Sequence, residues 1–191
     1  MNTIQEKDLL FEFDSDWSVV KWDGDADYRG RIHKRLPDAK AVDFLAVYKR
    51  NLYFIEVKDG RKDEAAFRKR VENGELFLEV GLKVRDSMAG LAGVLHVASN
   101  DAKWAPFRLA LMNTPIRVVL WLEMSQGPHG HHPQAVMALK AEADTRERQL
   151  LQRVDWLTRR AIVTSTRLGA HRELPGLSVK NLAGAGQQQA P

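Results

Sequence analysis

Apolar positions change their spacing along the chain, and each change predicts an element. Residues 41–48 (AVDFLAVY) and 52–58 (LYFIEVK) are short runs, apolar at nearly every position, flanking Lys49-Arg50-Asn51. Such runs predict two strands of a tight hairpin, buried on both faces. Residues 17–22 (WSVVKW), ending at Asp23-Gly24-Asp25, predict an earlier strand. Residues 116–123 (IRVVLWLE), introduced by Pro115, predict a central strand, and residues 161–166 (AIVTST) a closing one. Helical spacing takes over elsewhere. Phe77, Val80, Val84, Met88, Leu91 and Leu95 recur at three and four residues, which predicts a long amphipathic helix to about Val97. Gly90 and Gly93 point to close packing in its second half. Asp63 is placed to cap a short helix from Glu64 that Asn73-Gly74 stops, and residues 135–160, without Gly or Pro, predict a further helix. Residues 4–12 predict a short N-terminal helix, with a strand as the alternative because Phe11 and Phe13 alternate with acids.

Length and composition narrow this to one folded domain. The chain has 191 residues, 44% hydrophobic and 28% charged, with 13 Gly and 7 Pro, outside the disordered and collagen-like classes. Residues 1–182 are expected to form the domain. Residues 183–191, with Gly184, Gly186 and three glutamines, are expected to be a disordered tail. The absence of cysteine excludes disulfides, thiolate metal ligands, Fe–S clusters and a cysteine nucleophile, so any metal must be held by oxygen or imidazole. No apolar run approaches the roughly 20 residues that span a bilayer. The acidic start lacks the basic and apolar regions of a signal peptide, and a cytoplasmic location is the expectation.

Charge is uneven. Net charge is +4, yet residues 1–27 hold eight carboxylates against Lys7 and Lys21, so the remainder is decidedly basic. Arg29, Arg31, Lys34 and Arg35 cluster beside His33 without an acid, and Arg61, Lys62, Arg68, Lys69 and Arg70 form a second group. Both are candidate surfaces for nucleic-acid phosphates, to be weighed against ordinary solvated faces.

The candidate chemistry lies in the buried hairpin, which carries Asp43 on its first strand and Glu56 and Lys58 on its second. With Tyr48 opposite Asn51, Asp43 falls across from Glu56, their β-carbons roughly 5 Å apart. With Lys49 opposite Leu52, Asp43 falls across from Lys58. In either register all three side chains share one face, because side chains alternate with period two. An isolated Glu-x-Lys is ordinarily a structural ion pair. Two neighbouring carboxylates instead repel unless a cation or proton sits between them, and their oxygens suit a hard ion such as Mg²⁺ or Mn²⁺. Such an ion can polarise a phosphodiester and activate water, with Lys58 orienting that water or stabilising charge on phosphorus.

These residues, Val42-Asp43 followed by Glu56-Val57-Lys58, resemble the motif of the PD-(D/E)XK nuclease superfamily: an Asp, a variable gap, then Glu/Asp-x-Lys on adjacent strands. The resemblance in element order covers about residues 1–123, and its residue-level match rests on three positions. It implies an α/β, restriction-endonuclease-like fold: a mixed central sheet flanked by helices, ordered αβββαβ, with a C-terminal helix and strand. It also implies metal-dependent hydrolysis of phosphodiesters, with DNA as the expected substrate. Asp43, Glu56 and the Val57 carbonyl would hold the metal, and Lys58 would serve the attacking water. The literal Pro-Asp dipeptide, Pro37-Asp38, is out of phase with Glu56, so the metal-ligand role passes to Asp43. The family often adds a carboxylate from the N-terminal helix, here Glu6 or Glu12. It also often presents polar residues from the helix after the lysine strand, here Lys83 and Ser87. Homodimerisation or membership of a larger complex is compatible with a nuclease this small. The rival expectation is an inactive module of the same fold that binds nucleic acid or a protein.

Other signals are weaker. Asp23-Gly24-Asp25-Ala26-Asp27 begins like an EF-hand loop, but Tyr28 and Lys34 stand where glycine and glutamate are required. His129-Gly130-His131-His132 lies in a Gly/Pro loop without partners at zinc-ligand spacing. Trp104, Trp121 and Trp156 sit in or beside apolar segments and are expected in the core rather than stacked on bases.

Overall fold

The computed structural model describes residues 1–98, 101–113, 115–124 and 133–182. The chain runs β1 (Asn2–Glu6), β2 (Leu9–Phe13), β3 (Trp17–Lys21), a π-helical turn (Tyr28–His33), β4 (Phe44–Tyr48), β5 (Asn51–Asp59), α1 (Glu64–Glu72) and α2 (Glu75–Val97). It continues through a 3-10 turn (Ala102–Trp104), α3 (Ala105–Asn113), β6 (Ile116–Glu123), α4 (Pro133–Val154), β7 (Ala161–Thr164), a second 3-10 turn (Thr166–Leu168) and β8 (Leu177–Asn181). The result is a mixed α/β fold with two sheets.

The central sheet has the order β3-β4-β5-β6-β7. Its first three strands are antiparallel, whereas β5–β6 and β6–β7 are parallel. Parallel neighbours need crossover connections, which α1, α2 and α3 supply between β5 and β6, and α4 between β6 and β7. On one face Leu52, Phe54, Val118 and Leu120 pack against Leu76, Phe77, Val80 and Val84 of α2. The other face is covered by the small antiparallel sheet β1-β2-β8, whose Leu9, Phe11 and Phe13 meet Phe44, Ile55, Val57 and Trp121. Coverage on both sides explains the nearly continuous apolar runs of β4, β5 and β6.

The N-terminal helix expected over residues 4–12 is a β-hairpin instead, so the order αβββαβ is corrected at its first element. Leu9, Phe11 and Phe13 are fully buried while Leu10 and Glu12 between them are half-buried, a period of two that fits a strand against a sheet. Glu6 pairs with Leu9 across the turn Lys7-Asp8, where Lys7 takes a φ of 53°. The predicted cap and stop of α1 are present: Asp63 accepts from the Ala66 N–H, and Gly74 has a φ of 79°. Helix α3 and strand β8 have no counterpart in the sequence reading. Gly90 is tightly packed, whereas Gly93 faces open space. Trp104 and Trp121 are buried, and Trp156 is 55% exposed. Of the expected loop 126–133, residues 126–132 with His129, His131 and His132 lie outside the described residues, as does the expected tail 183–191, and Pro133 opens α4. Among the described residues no helix is long and apolar enough to cross a membrane.

Candidate metal and nucleic-acid site

The β4–β5 hairpin closes with Tyr48 opposite Asn51, through Lys49 and Arg50 at φ 44° and 71°. Continued past Phe44↔Ile55, that register sets Asp43 across from Glu56. There the ladder opens. The Asp43 carbonyl accepts from the Trp22 N–H at 2.8 Å, and its carboxylate accepts from the Val57 N–H at 2.6 Å. The preceding backbone is tied to α2, because the Val42 N–H donates to Ser87 Oγ and the Lys40 N–H to Asp86. Ser87 is fully buried. It therefore holds the Asp43 segment and does not reach a nucleic acid, which corrects its expected role.

Carboxylate oxygens of Glu6, Asp23 and Asp43 lie within 4.8 Å of one another. Glu6 comes from the end of β1 and Asp23 from just beyond β3, so three separate turns of chain converge here. Lys21 neutralises Glu6 at 2.5 Å. Among the described residues Asp43 forms no salt bridge. Burial, then the charge of Glu56, pushes its carboxyl up to about 7, against the opposing pull of Lys83 and the Val57 N–H. Burial also raises Asp23, despite Lys21. Asp23 is the site residue that sequence reasoning missed, since Asp25 and Asp27 beside it suggested only a turn. Those two turn elsewhere, Asp25 to Lys103 and Asp27 to Arg31 and the Trp104 indole.

Glu56 is 1% exposed. Its Oε1 accepts from Lys58 at 3.0 Å and from Lys83 at 2.7 Å, while its buried Oε2 meets no donor among the described residues. Lys58 also donates to Glu79 at 2.8 Å, and the other Glu79 oxygen takes Arg70. Burial favours neutral Lys58, but Glu56 and Glu79 outweigh it and raise its pKa. The Val57 carbonyl, expected to face a metal, accepts from Lys7 Nζ at 3.3 Å. Glu12, the alternative to Glu6, instead pairs with Lys180 and Ser178 of β8. Asp38 lies exposed in a turn before β4, so the strand phase that set it aside does not apply to it.

The two basic groups fare differently. Arg29, Arg31, Lys34 and Arg35 lie on or just after the π-helical turn, with side chains at the surface. The turn is seated beside the acids: Arg29 Nε donates to the Asp23 carbonyl at 3.0 Å, and Ile32 fills the space over Gly90. A β-carbon at Gly90 would stand 2.7 Å from Ile32 Cδ1 and 3.1 Å from Trp22 Cζ2, so any side chain here would push the Ile32 tip aside. In the second group Arg61 forks onto Asp59 and reaches Asn181 of β8, while Lys62 pairs with Asp8 at 3.1 Å. Arg61 ties the loop after β5 to the small sheet.

Fold and site together define a mixed α/β protein with a partly buried carboxylate cluster at one end of its central sheet. No family model and no solved structure matches the chain. A cysteine–tRNA ligase of Neisseria meningitidis serogroup A is 29% identical over 149 residues, covering 65% of this chain and 21% of the ligase. The chain thus spans about a fifth of the length of that relative.

Proposed function

We propose that the chain is a divalent-metal-dependent nuclease of restriction-endonuclease-like fold, acting on DNA. The observation that carries this reading is the gathering of Glu6, Asp23 and Asp43 within 4.8 Å, with Glu56 across the hairpin from Asp43 and one of its oxygens buried without a donor among the described residues. The donors are all oxygens, and three carboxylates gathered this closely repel unless a cation or proton sits among them, so the set fits a hard divalent ion. Asp43, Glu6, Asp23 and the free oxygen of Glu56 would hold Mg²⁺ or Mn²⁺. When bound, such an ion polarises a phosphoryl oxygen and makes water a better nucleophile. The chain's own residues do the rest. Arg29, Arg31, Lys34 and Arg35 track the phosphate backbone, and positive charge beside Glu56 meets the negative charge that the phosphate gains.

The rival reading is an inactive module of the same fold that binds nucleic acid or a protein. What favours it is that both lysines already rest on Glu56 and that Lys7 covers the Val57 carbonyl. Incubation with linear, circular, single-stranded and branched DNA decides between them, with Mg²⁺, Mn²⁺ or EDTA. A transfer RNA belongs in the panel, because the partial relative is named as a tRNA ligase. Cleavage with either metal and none with EDTA is expected. No cleavage of any substrate, together with no heat of Mn²⁺ binding by calorimetry, overturns the nuclease reading.

A further inference from the structure

Strand β5 and helix α2 face each other through two complementary pairs. Glu56 and Lys58 stand two residues apart on the strand, and Glu79 and Lys83 four residues apart on the helix, one turn along a single face. Each acid takes the opposite element's lysine: Lys58 donates to Glu79 at 2.8 Å and Lys83 to Glu56 at 2.7 Å. The two lysines are nonetheless unequal. Lys58 is clamped between two carboxylates, Glu79 and Glu56, and Glu79 is itself anchored by Arg70. Among the described residues Lys83 forms a salt bridge with Glu56 alone, which leaves two of its three N–H donors uncommitted. Its charge acts on both Asp43 and Asp23, so it borders the acid cluster.

Resting on the nuclease reading, we propose that Lys83 is the catalytic cation that contacts the scissile phosphate, and that Lys58 is a positioning residue holding Glu56. This departs from the resemblance, which assigns the catalytic role to Lys58. In the hydrolysis a water oxygen bonds to phosphorus as one P–O ester bond breaks. One water proton ends on the leaving alkoxide, and the other stays on the new phosphate oxygen or passes to solvent. Negative charge builds on the non-bridging oxygens during that exchange, and the free donors of Lys83 meet it there. Lys83 transfers no proton. Lys58 and Glu79 act through Glu56, fixing the carboxylate whose charge acts on Asp43.

Single-turnover cleavage and binding of end-labelled DNA, measured separately on the full chain, test the assignment. Lys83→Met should slow cleavage by about 100-fold or more while changing substrate affinity by less than about fivefold, as expected for a contact made chiefly in the transition state. Lys83→Arg, which keeps the charge, should retain roughly a tenth of the rate. The double variant Lys58→Met/Glu79→Gln removes both charges of the clamp, leaves the half-exposed Arg70 to Glu75 and solvent, and should lose less than about tenfold at saturating metal. If Lys83→Met does not fold, Lys83→Gln keeps a donor to Glu56 and should show the same loss. A Lys83 variant within about threefold of wild type, or a clamp variant as inert as Lys83→Met, overturns the assignment while leaving the nuclease reading intact. An inert wild type overturns both.

Discussion

Glu56 of β5 and Glu123 of β6 sit on neighbouring strands, 1% and 2% exposed, and are served in opposite ways. Glu123 faces the small sheet and is saturated by neutral donors: the Trp121 indole at 2.8 Å, the Thr166 N–H at 2.6 Å and the Thr166 hydroxyl at 3.0 Å. Glu56 faces the helices, with two lysines on one oxygen and no donor on the other among the described residues. Asp43 beside it accepts one backbone N–H and faces three carboxylates, Glu6, Asp23 and Glu56. A buried carboxylate whose oxygens are all occupied is finished as a structural part. One left open among like charges costs stability, and proteins keep such arrangements where function needs them.

The contrast breaks most visibly in activity. Asp43→Asn should reduce metal-dependent cleavage by about 1,000-fold, worth about 4 kcal/mol of transition-state stabilisation, while Glu123→Gln should stay within about twofold of wild type. Equal losses in the two variants would mean that saturation does not separate structural from functional carboxylates here.

Stability should move in opposite directions at the same two positions. The folded-state pKa of Asp43, about 7, lies above its ordinary 3.8, so between those values the folded chain holds a proton that the unfolded chain releases. Stability of the metal-free protein therefore falls as pH rises from about 4 to about 7, and levels off above. The full shift corresponds to at most about 4 kcal/mol. Asp43→Asn should remove the slope and raise the melting temperature at pH 8, and saturating Mg²⁺ should flatten the wild-type slope. A lower melting temperature for Asp43→Asn in metal-free buffer would mark Asp43 as one half of a structural pair. Glu123→Gln should cost about 1 kcal/mol, because an amide oxygen replaces Oε1 and the amide NH₂ can donate to Thr166. Glu123→Ala should cost about 3 kcal/mol by stranding those donors.

How much of this was legible in the sequence depends on whether local pattern or distant packing decides it. The hairpin register was narrowed to two choices because Lys49, Arg50 and Asn51 leave room for little but a tight turn, and shared parity put Asp43, Glu56 and Lys58 on one face in either case. The long helix was legible from its spacing, and Gly90 from its place in that helix. The β1–β2 hairpin was not, since Leu9, Leu10, Phe11 and Phe13 form too short a run to separate a period of two from one of 3.6 until β8 and the central sheet cover one face. Asp23 was hidden by Asp25 and Asp27, which share its composition but point to Lys103, Arg31 and Trp104. Ser87 was chosen for standing one turn from Lys83, yet a helix's side chains fan out within a turn. One reaches Glu56 and the other is sealed against Val42.

The smallest expected effect extends the comparison from acids to cations. Arg61 is engaged by Asp59 and Asn181, whereas Lys34 makes no salt bridge among the described residues, and Arg31, paired with Asp27, and Arg35 lie on an exposed turn. A phosphate contact releases counterions, each contributing roughly 0.9 to the slope of log affinity against log salt on duplex DNA. Replacing Arg31, Lys34 and Arg35 with Ala should flatten that slope by roughly 1–3. Lys62→Ala should barely change it, and should alter folding stability by no more than about 0.5 kcal/mol, because its pair with Asp8 lies in water. A triple variant with unchanged slope and affinity would remove the π-helical turn from the interface. Placement beside Asp23 would then serve packing of Ile32 over Gly90 rather than capture of a phosphate backbone.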